Sequence, residues 1–295
     1  MTDALMQVAR RPRGGRGAGS TRGAHPSRTS ARWTAPGSLV AIAVLAVAVL
    51  WAAVPGLFAS ADPYAGTEVA LLPPSAEHWF GTDSVGRDLY SRVVYGARQS
   101  LFGAALAVLV GLVAGTALGL IAGALRGWVD TAVMRLVDVF LAIPGILLSL
   151  SLIIVLGFGS LQAAFAVGVT TIAAFARLAR AQVMTVANAD YVEAAYGSGA
   201  TKAQALVRHV LPNSLTPVIA LAALQFGTAV LQLSILGFLG YGAPPPVPEW
   251  GLIIAEGRDF MAFAWWTIAL PGLAIAATVM SANRLSRNIG VEGLR

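Results

Sequence analysis

The chain has no cysteine and few charges: 12% of its 295 residues are Asp, Glu, Lys or Arg, against 57% hydrophobic residues. Without cysteine there is neither a disulfide framework nor a thiolate metal site or nucleophile. So little charge over so much apolar surface excludes an ordinary soluble domain. His25, His78 and His209 are the three histidines, too scattered to suggest a ligand cluster. No G-x-x-x-x-G-K loop is present for ATP, no H-E-x-x-H for zinc, and no serine-centred nucleophile elbow. No long apolar run holds a cluster of ionisable groups, which intramembrane enzymes and proton-coupled carriers need.

What the chain does have is a series of uncharged runs. The first, 33–61, contains a span at 38–59, long enough for about 30 Å of hydrocarbon. Ala59-Ser60-Ala61 resembles a signal-peptidase site, but the apolar stretch exceeds the roughly 7–15 residues of a signal h-region, favouring an uncleaved span. The second run, 99–125, carries Gly111, Gly115, Gly119 and Gly123 at every fourth position, a stripe that lets another helix approach closely. Residues 139–176 are too long for one span and predict a hairpin turning at 157–160, its first helix kinked by Pro144. Between these runs, Arg135 and Asp138 are spaced to pair on one helix face. Further spans are expected near 216–239 and over 260–283, the latter with interfacial Trp265 and Trp266 near its start.

Six spans put both chain ends on one side. Segments on that side hold sixteen of the twenty Lys and Arg: seven in the first 33 residues, two near 126–135, four in 177–208 and three at the end. The other side holds four: Arg87, Arg92, Arg98 and Arg258. Positive residues in short loops stay cytoplasmic, so both ends are predicted inside. The basic tail reads as an orientation signal attracted to anionic lipid, and not as a nucleic-acid arm.

Residues 190–213, DYVEAAYGSGATKAQALVRHVLPN, are the longest polar-rich stretch between apolar runs and fall on the inside. Asp190 with Glu193 predicts a helix N-cap, and Gly197 or Gly199 a left-handed end. Thr201 and Gln204 predict a capping box opening a second short helix. Pro212 disfavours helix at Leu211, and Ser214 can cap the next run. Two short helices broken at a glycine make a cytoplasmic knob.

At Glu193-Ala194-Ala195, three residues, Gly199, nine residues and His209-Val210-Leu211-Pro212, the chain resembles the EAA loop of ABC importer permeases. The histidine suits the dipeptide, oligopeptide and nickel branch. A second resemblance to that branch lies in His78-Trp79-Phe80-Gly81-Thr82-Asp83-Ser84-Val85-Gly86-Arg87-Asp88. A third is Phe238-Leu239-Gly240-Tyr241-Gly242 with the prolines leading to Trp250-Gly251. The resemblance implies an all-α integral membrane protein with six transmembrane helices and the type I ABC importer permease fold. Its parts would be a disordered Arg-rich cytoplasmic tail (1–34), the first span and extracytoplasmic loop (35–98), a five-span core (99–285) with coupling loop 187–213, and a cytoplasmic tail (286–295). It implies a non-catalytic subunit of the bacterial inner membrane, forming half of a pathway for dipeptides or oligopeptides. Asp190, Tyr191, Glu193, Ala194, Ala195, Gly199, His209, Leu211 and Pro212 would receive the motion of an ATPase. The implied partners are a homologous permease subunit, two ATP-binding cassette domains that hold ATP and Mg, and an extracytoplasmic peptide-binding protein or lipoprotein. This chain would hold no cofactor or metal. Gly81, Thr82, Asp83, Gly86, Arg87 and Asp88 make up the outer-loop signature, in which Asp83, Arg87 and Asp88 either contact substrate or, in preference, tie the loop to its neighbours through turns and ion pairs. A nickel or other small-solute importer shares these signatures, and a self-sufficient carrier or channel is the rival outside the family.

Overall fold

A computed structural model describes residue 33 and residues 35–292. The expected disorder of the basic tail therefore falls, Trp33 apart, outside the described residues. Helix α1 spans Pro36–Ala53. An irregular segment pinned by two isolated bridges leads to α2, Leu89–Leu125. Asp88 caps α2 by accepting the Ser91 N–H at 2.8 Å, so this helix starts ten residues before the uncharged run. At 1.5 Å per residue its 37 residues reach about 55 Å, well beyond a bilayer core.

The glycine stripe sets the next contact. A Cβ on Gly115 would lie 2.5 Å from the Ile172 carbonyl, and one on Gly119 would lie 2.7 Å from the Ala179 Cβ. A Cβ on Gly123 would lie 2.9 Å from a Val183 methyl. The partner is α5, Ser160–Ala187, and the matching order of contacts shows that α2 and α5 run parallel. Between them the chain returns through α3, Gly127–Ala142, and α4, Gly145–Leu156. The return is broken more sharply than a kink: α3 and α4 meet at 96° across Ile143 and Pro144. Proline removes an N–H and its ring excludes helix at the preceding residue, which suits an abrupt break.

After α5 come α6, Asp190–Gly197, and α7, Lys202–Ala205. A π-helical turn, Leu206–Val210, joins α7 to α8, Leu211–Phe238. The predicted break at Leu211 does not occur, because the wide turn absorbs the proline. The Leu211 N–H reaches back five residues to Leu206, and Leu211 itself stays helical. Ser214 is accordingly no N-cap; its hydroxyl donates to the Val210 carbonyl at 2.7 Å. Short α9, Trp250–Gly257, precedes the last long helix α10, Trp266–Glu292, which continues through most of the expected tail. Among the described residues five helices are long and apolar enough to span a membrane, and six spans result when the bent α3–α4 pair is one.

The buried core runs along α2, α5 and α8 through Leu101, Ala104, Ala107, Ala164, Val167, Phe175, Val230 and Leu233. Outward faces are apolar too, with Val40, Val49, Val113, Ile154 and Val155 exposed. Helices apolar on every side belong in lipid.

Candidate functional site: two polar ends of one bundle

The fold separates two polar ends. One gathers the segment before α2 with α9 and the start of α10. The other gathers the C-terminal ends of α2 and α5, the 188–213 segment, and the start of α1 beside Asn288, whose amide donates to Ser38 at 3.1 Å.

At the second end, α6 begins with Asp190 inside its first turn. Ala189 holds the N-cap position and no side chain caps it, so the expected Asp190–Glu193 box does not form. Both acids still lie in the first turn, where the helix dipole favours negative charge. The helix ends through Gly199, at φ +92°, with its N–H on the Tyr196 carbonyl and the Ala200 N–H on the Ala195 carbonyl. That pairing is a Schellman motif. The second predicted box does form: Gln204 N–H donates to the Thr201 hydroxyl and Thr201 N–H to the Gln204 amide oxygen at 2.9 Å.

Val192 is the only fully buried side chain of α6. It packs with Val183 of α5, Ala205 of α7 and Val210 of the π turn. The knob is thus keyed through one valine to the helices on either side of it. The rest of α6 faces outward, and Tyr191, Ala194, Ala195, Gly199 and His209 line one open hollow together with Gln204. Asp190 and Glu193 are exposed near it, and Leu211 and Pro212 follow on the adjoining helix. Beside the knob, α3 is held to α5 by Arg180 with Asp130 and Arg177 with Asp138. Asp138 therefore pairs across helices and not with Arg135 as its spacing suggested.

The first end is interlocked. Asp83 accepts the Arg87 backbone N–H at 2.9 Å and the Arg87 Nε at 2.7 Å. Arg87 and Arg92 both reach the Glu256 carboxylate of α9, at 3.2 and 2.7 Å. Asp88 caps α2, meets His78 Nδ1 at 2.9 Å and accepts the Ser60 hydroxyl. Thr82 accepts the Leu72 N–H at 2.8 Å. Gly81 and Gly86 both have φ near +75 to +79°, and a Cβ on Gly81 would meet the Trp266 indole at 2.8 Å. Thr82, Asp83, Arg87, Asp88 and Arg92 are all buried. The six signature residues thus engage one another, α9 and α10.

Sequence reasoning assigned no role here to three residues. Glu256 stands 169 positions from Arg87, and only folding joins them. Trp250, fully buried, donates its indole N–H to the Val93 carbonyl at 2.8 Å. Glu249 is buried beside Gly237 and Gly242. The available signal was two acids on a short, otherwise apolar stretch, since buried charges need partners.

The bundle matches known transport proteins. A family of binding-protein-dependent transport system inner membrane components matches residues 115–289. The dipeptide transport system permease protein DppC of Alkalihalophilus pseudofirmus is 40% identical over 76% of this chain and 72% of its own. The chain belongs to this family. A probable D,D-dipeptide transport system permease protein, DdpC of Escherichia coli, is 40% identical over 72% of each chain. The glutathione transport system permease protein GsiD of Escherichia coli O157:H7 is 42% identical over 75% of this chain and 72% of its own. Among solved structures, an inward-facing MetNI methionine ABC transporter shares the fold at a TM-score of 0.52 and 19% identity, covering 67% of this chain and 96% of that one. The permease is thus a multi-pass inner-membrane subunit of an ABC transporter with the type I importer fold. Among the described residues no group of His, Asp or Glu could hold a metal ion.

Proposed function

We propose that this permease subunit forms half of the pathway of an ATP-driven importer for dipeptides and oligopeptides, and that its 190–213 segment receives the ATPase motion. The observation that carries the coupling role is the outward hollow lined by Tyr191, Ala194, Ala195, Gly199 and His209 around a knob fixed from within by Val192. A surface that passes on force must be exposed to its partner and rigid toward its own helices. ATP and Mg are bound by the two partner cassette domains. Their closure displaces the knob, and α5 and α8, which flank it, carry the displacement into the bundle. The two arrangements are states of one equilibrium biased at one end. Both termini are cytoplasmic, as the distribution of arginine and lysine supports. A homologous permease supplies the other half, and an extracytoplasmic binding protein delivers the peptide. The interlocked Asp83, Arg87 and Asp88 network serves to hold the outer loop on α2 and α9, in preference to touching substrate.

The test is purification of the tagged chain from its native membrane, followed by ATP hydrolysis and uptake assays in vesicles. Co-purification of an ATPase and ATP-dependent uptake of labelled dipeptide are expected. Uptake of nickel without peptide would move the subunit to the small-solute branch, and peptide uptake by the chain alone would make it a self-sufficient carrier.

A further inference from the structure

Glu249 is the one buried carboxylate of the first polar end that the ion-pair network leaves out. It is 5% exposed, just before α9, with its carboxyl group wedged between Gly237 of α8 and Gly242 of the connecting loop. A Cβ on Gly237 would lie 2.5 Å from one carboxyl oxygen, and a Cβ on Gly242 would overlap the other. The Ala243 N–H donates to Oε2 at 3.1 Å. Gln99, Ser100 and Gly103 of α2, Ser160 and Ala163 of α5, and Leu233 of α8 enclose the remainder around a hollow of about 10 Å³, room for a single water.

No cation faces it. The charged side chains of α2 are used elsewhere: Arg98 donates to the Ala52 and Ala53 carbonyls, and Arg92 is bound to Glu256 of α9. The arginines of α5, Arg177 and Arg180, pair with Asp138 and Asp130 at the opposite end. Helix α8 carries no charged residue, and Tyr241 of the loop lies against Phe158. An isolated carboxylate in such a socket is costly, whereas the neutral acid fits it.

We propose that Glu249 is a proton-binding site of this permease, neutral while the 239–249 loop is seated on α2 and α8, and that losing its proton releases the loop. Burial pushes its carboxyl up from the ordinary 4.5 to about 7, against a smaller opposing effect of the Ala243 N–H. The sign follows: the seated conformation holds the proton more tightly than an opened one. Its stabilisation is therefore full at acid pH and fades as pH rises through about 7. The inference is independent of which solute is carried.

The absence of cysteine allows a direct test in the assembled transporter in lipid nanodiscs. Ala243→Cys places a probe at a buried loop position. Its maleimide labelling is compared between pH 6 and pH 8 with Glu249 intact and with Glu249→Gln, which cancels the pH dependence of the thiol itself. Ionisation from about one tenth to about nine tenths across that interval predicts a rise about tenfold greater with Glu249. Equal rises overturn the proposal. Should Glu249→Gln not assemble, infrared titration of the complex carrying wild-type Glu249 decides instead. A protonated-carboxyl band with a midpoint near neutrality supports the site; no such band, or a midpoint near the ordinary 4.5, overturns it.

Discussion

The two polar ends of this bundle solve opposite problems with similar residues. At the Asp83 end, charges are buried and shared: Arg92 is wholly buried and Arg87 nearly so, both on Glu256, and Gly81 has indole and backbone pressed against it. At the Asp190 end, Arg177 and Asp138 are 58% and 60% exposed, and a Cβ on Gly199 would meet nothing within 4 Å. The first arrangement fixes a loop to the helices. The second leaves a knob exposed, with Val192 the one side chain of α6 buried inward. Substitutions at the first end should therefore damage the fold, and at the second mainly the work it does.

Glu256→Ala is the strongest test of the first half. It strips Arg92 of its 2.7 Å carboxylate partner while the guanidinium stays buried. Breaking a buried pair from one side costs about 3–5 kcal/mol. Thermal unfolding of the detergent-solubilised transporter should fall sharply, with low yield in membranes. Next comes the α2–α5 seam, where Gly115→Ala forces a methyl to within 2.5 Å of Phe175 and the Ile172 carbonyl. Overpacking of this kind costs about 1–3 kcal/mol, read in the same assay.

Gly199→Val should show the contrast. The left-handed backbone at φ +92° costs a non-glycine residue about 1–2 kcal/mol locally, but nothing in the core is displaced. Peptide uptake should be lost while insertion and melting temperature stay close to wild type; unchanged uptake would remove the coupling role from this loop. The smallest effect is expected for Arg177→Ala. An ion pair this exposed contributes below about 1 kcal/mol, and its loss should vanish at high salt. A large destabilisation there would erase the distinction between the ends.

Much of this was legible in the sequence because it is local. The glycine spacing at 111–123 marked the tight helix seam, Thr201 and Gln204 marked a capping box, and the EAA spacing marked the knob. The errors arose where a longer-range alternative outcompeted a local rule. Asp138 found Arg177 across a helix pair, not Arg135 on its own helix. Pro212 was absorbed by a π turn because the helix could widen upstream. Pro144 broke the chain by 96° instead of bending it. The buried network was half visible: Asp83, Arg87 and Asp88 stood out together, while Glu256 is brought to Arg87 only by tertiary packing.

The most direct measurement is disulfide or maleimide chemistry at Ala194→Cys, an exposed knob position in a chain that has no other cysteine. Cross-linking of that thiol to a co-purifying ATPase subunit, changed by ATP, is the predicted result. Labelling of the same thiol by a membrane-impermeant reagent added outside intact cells would contradict it.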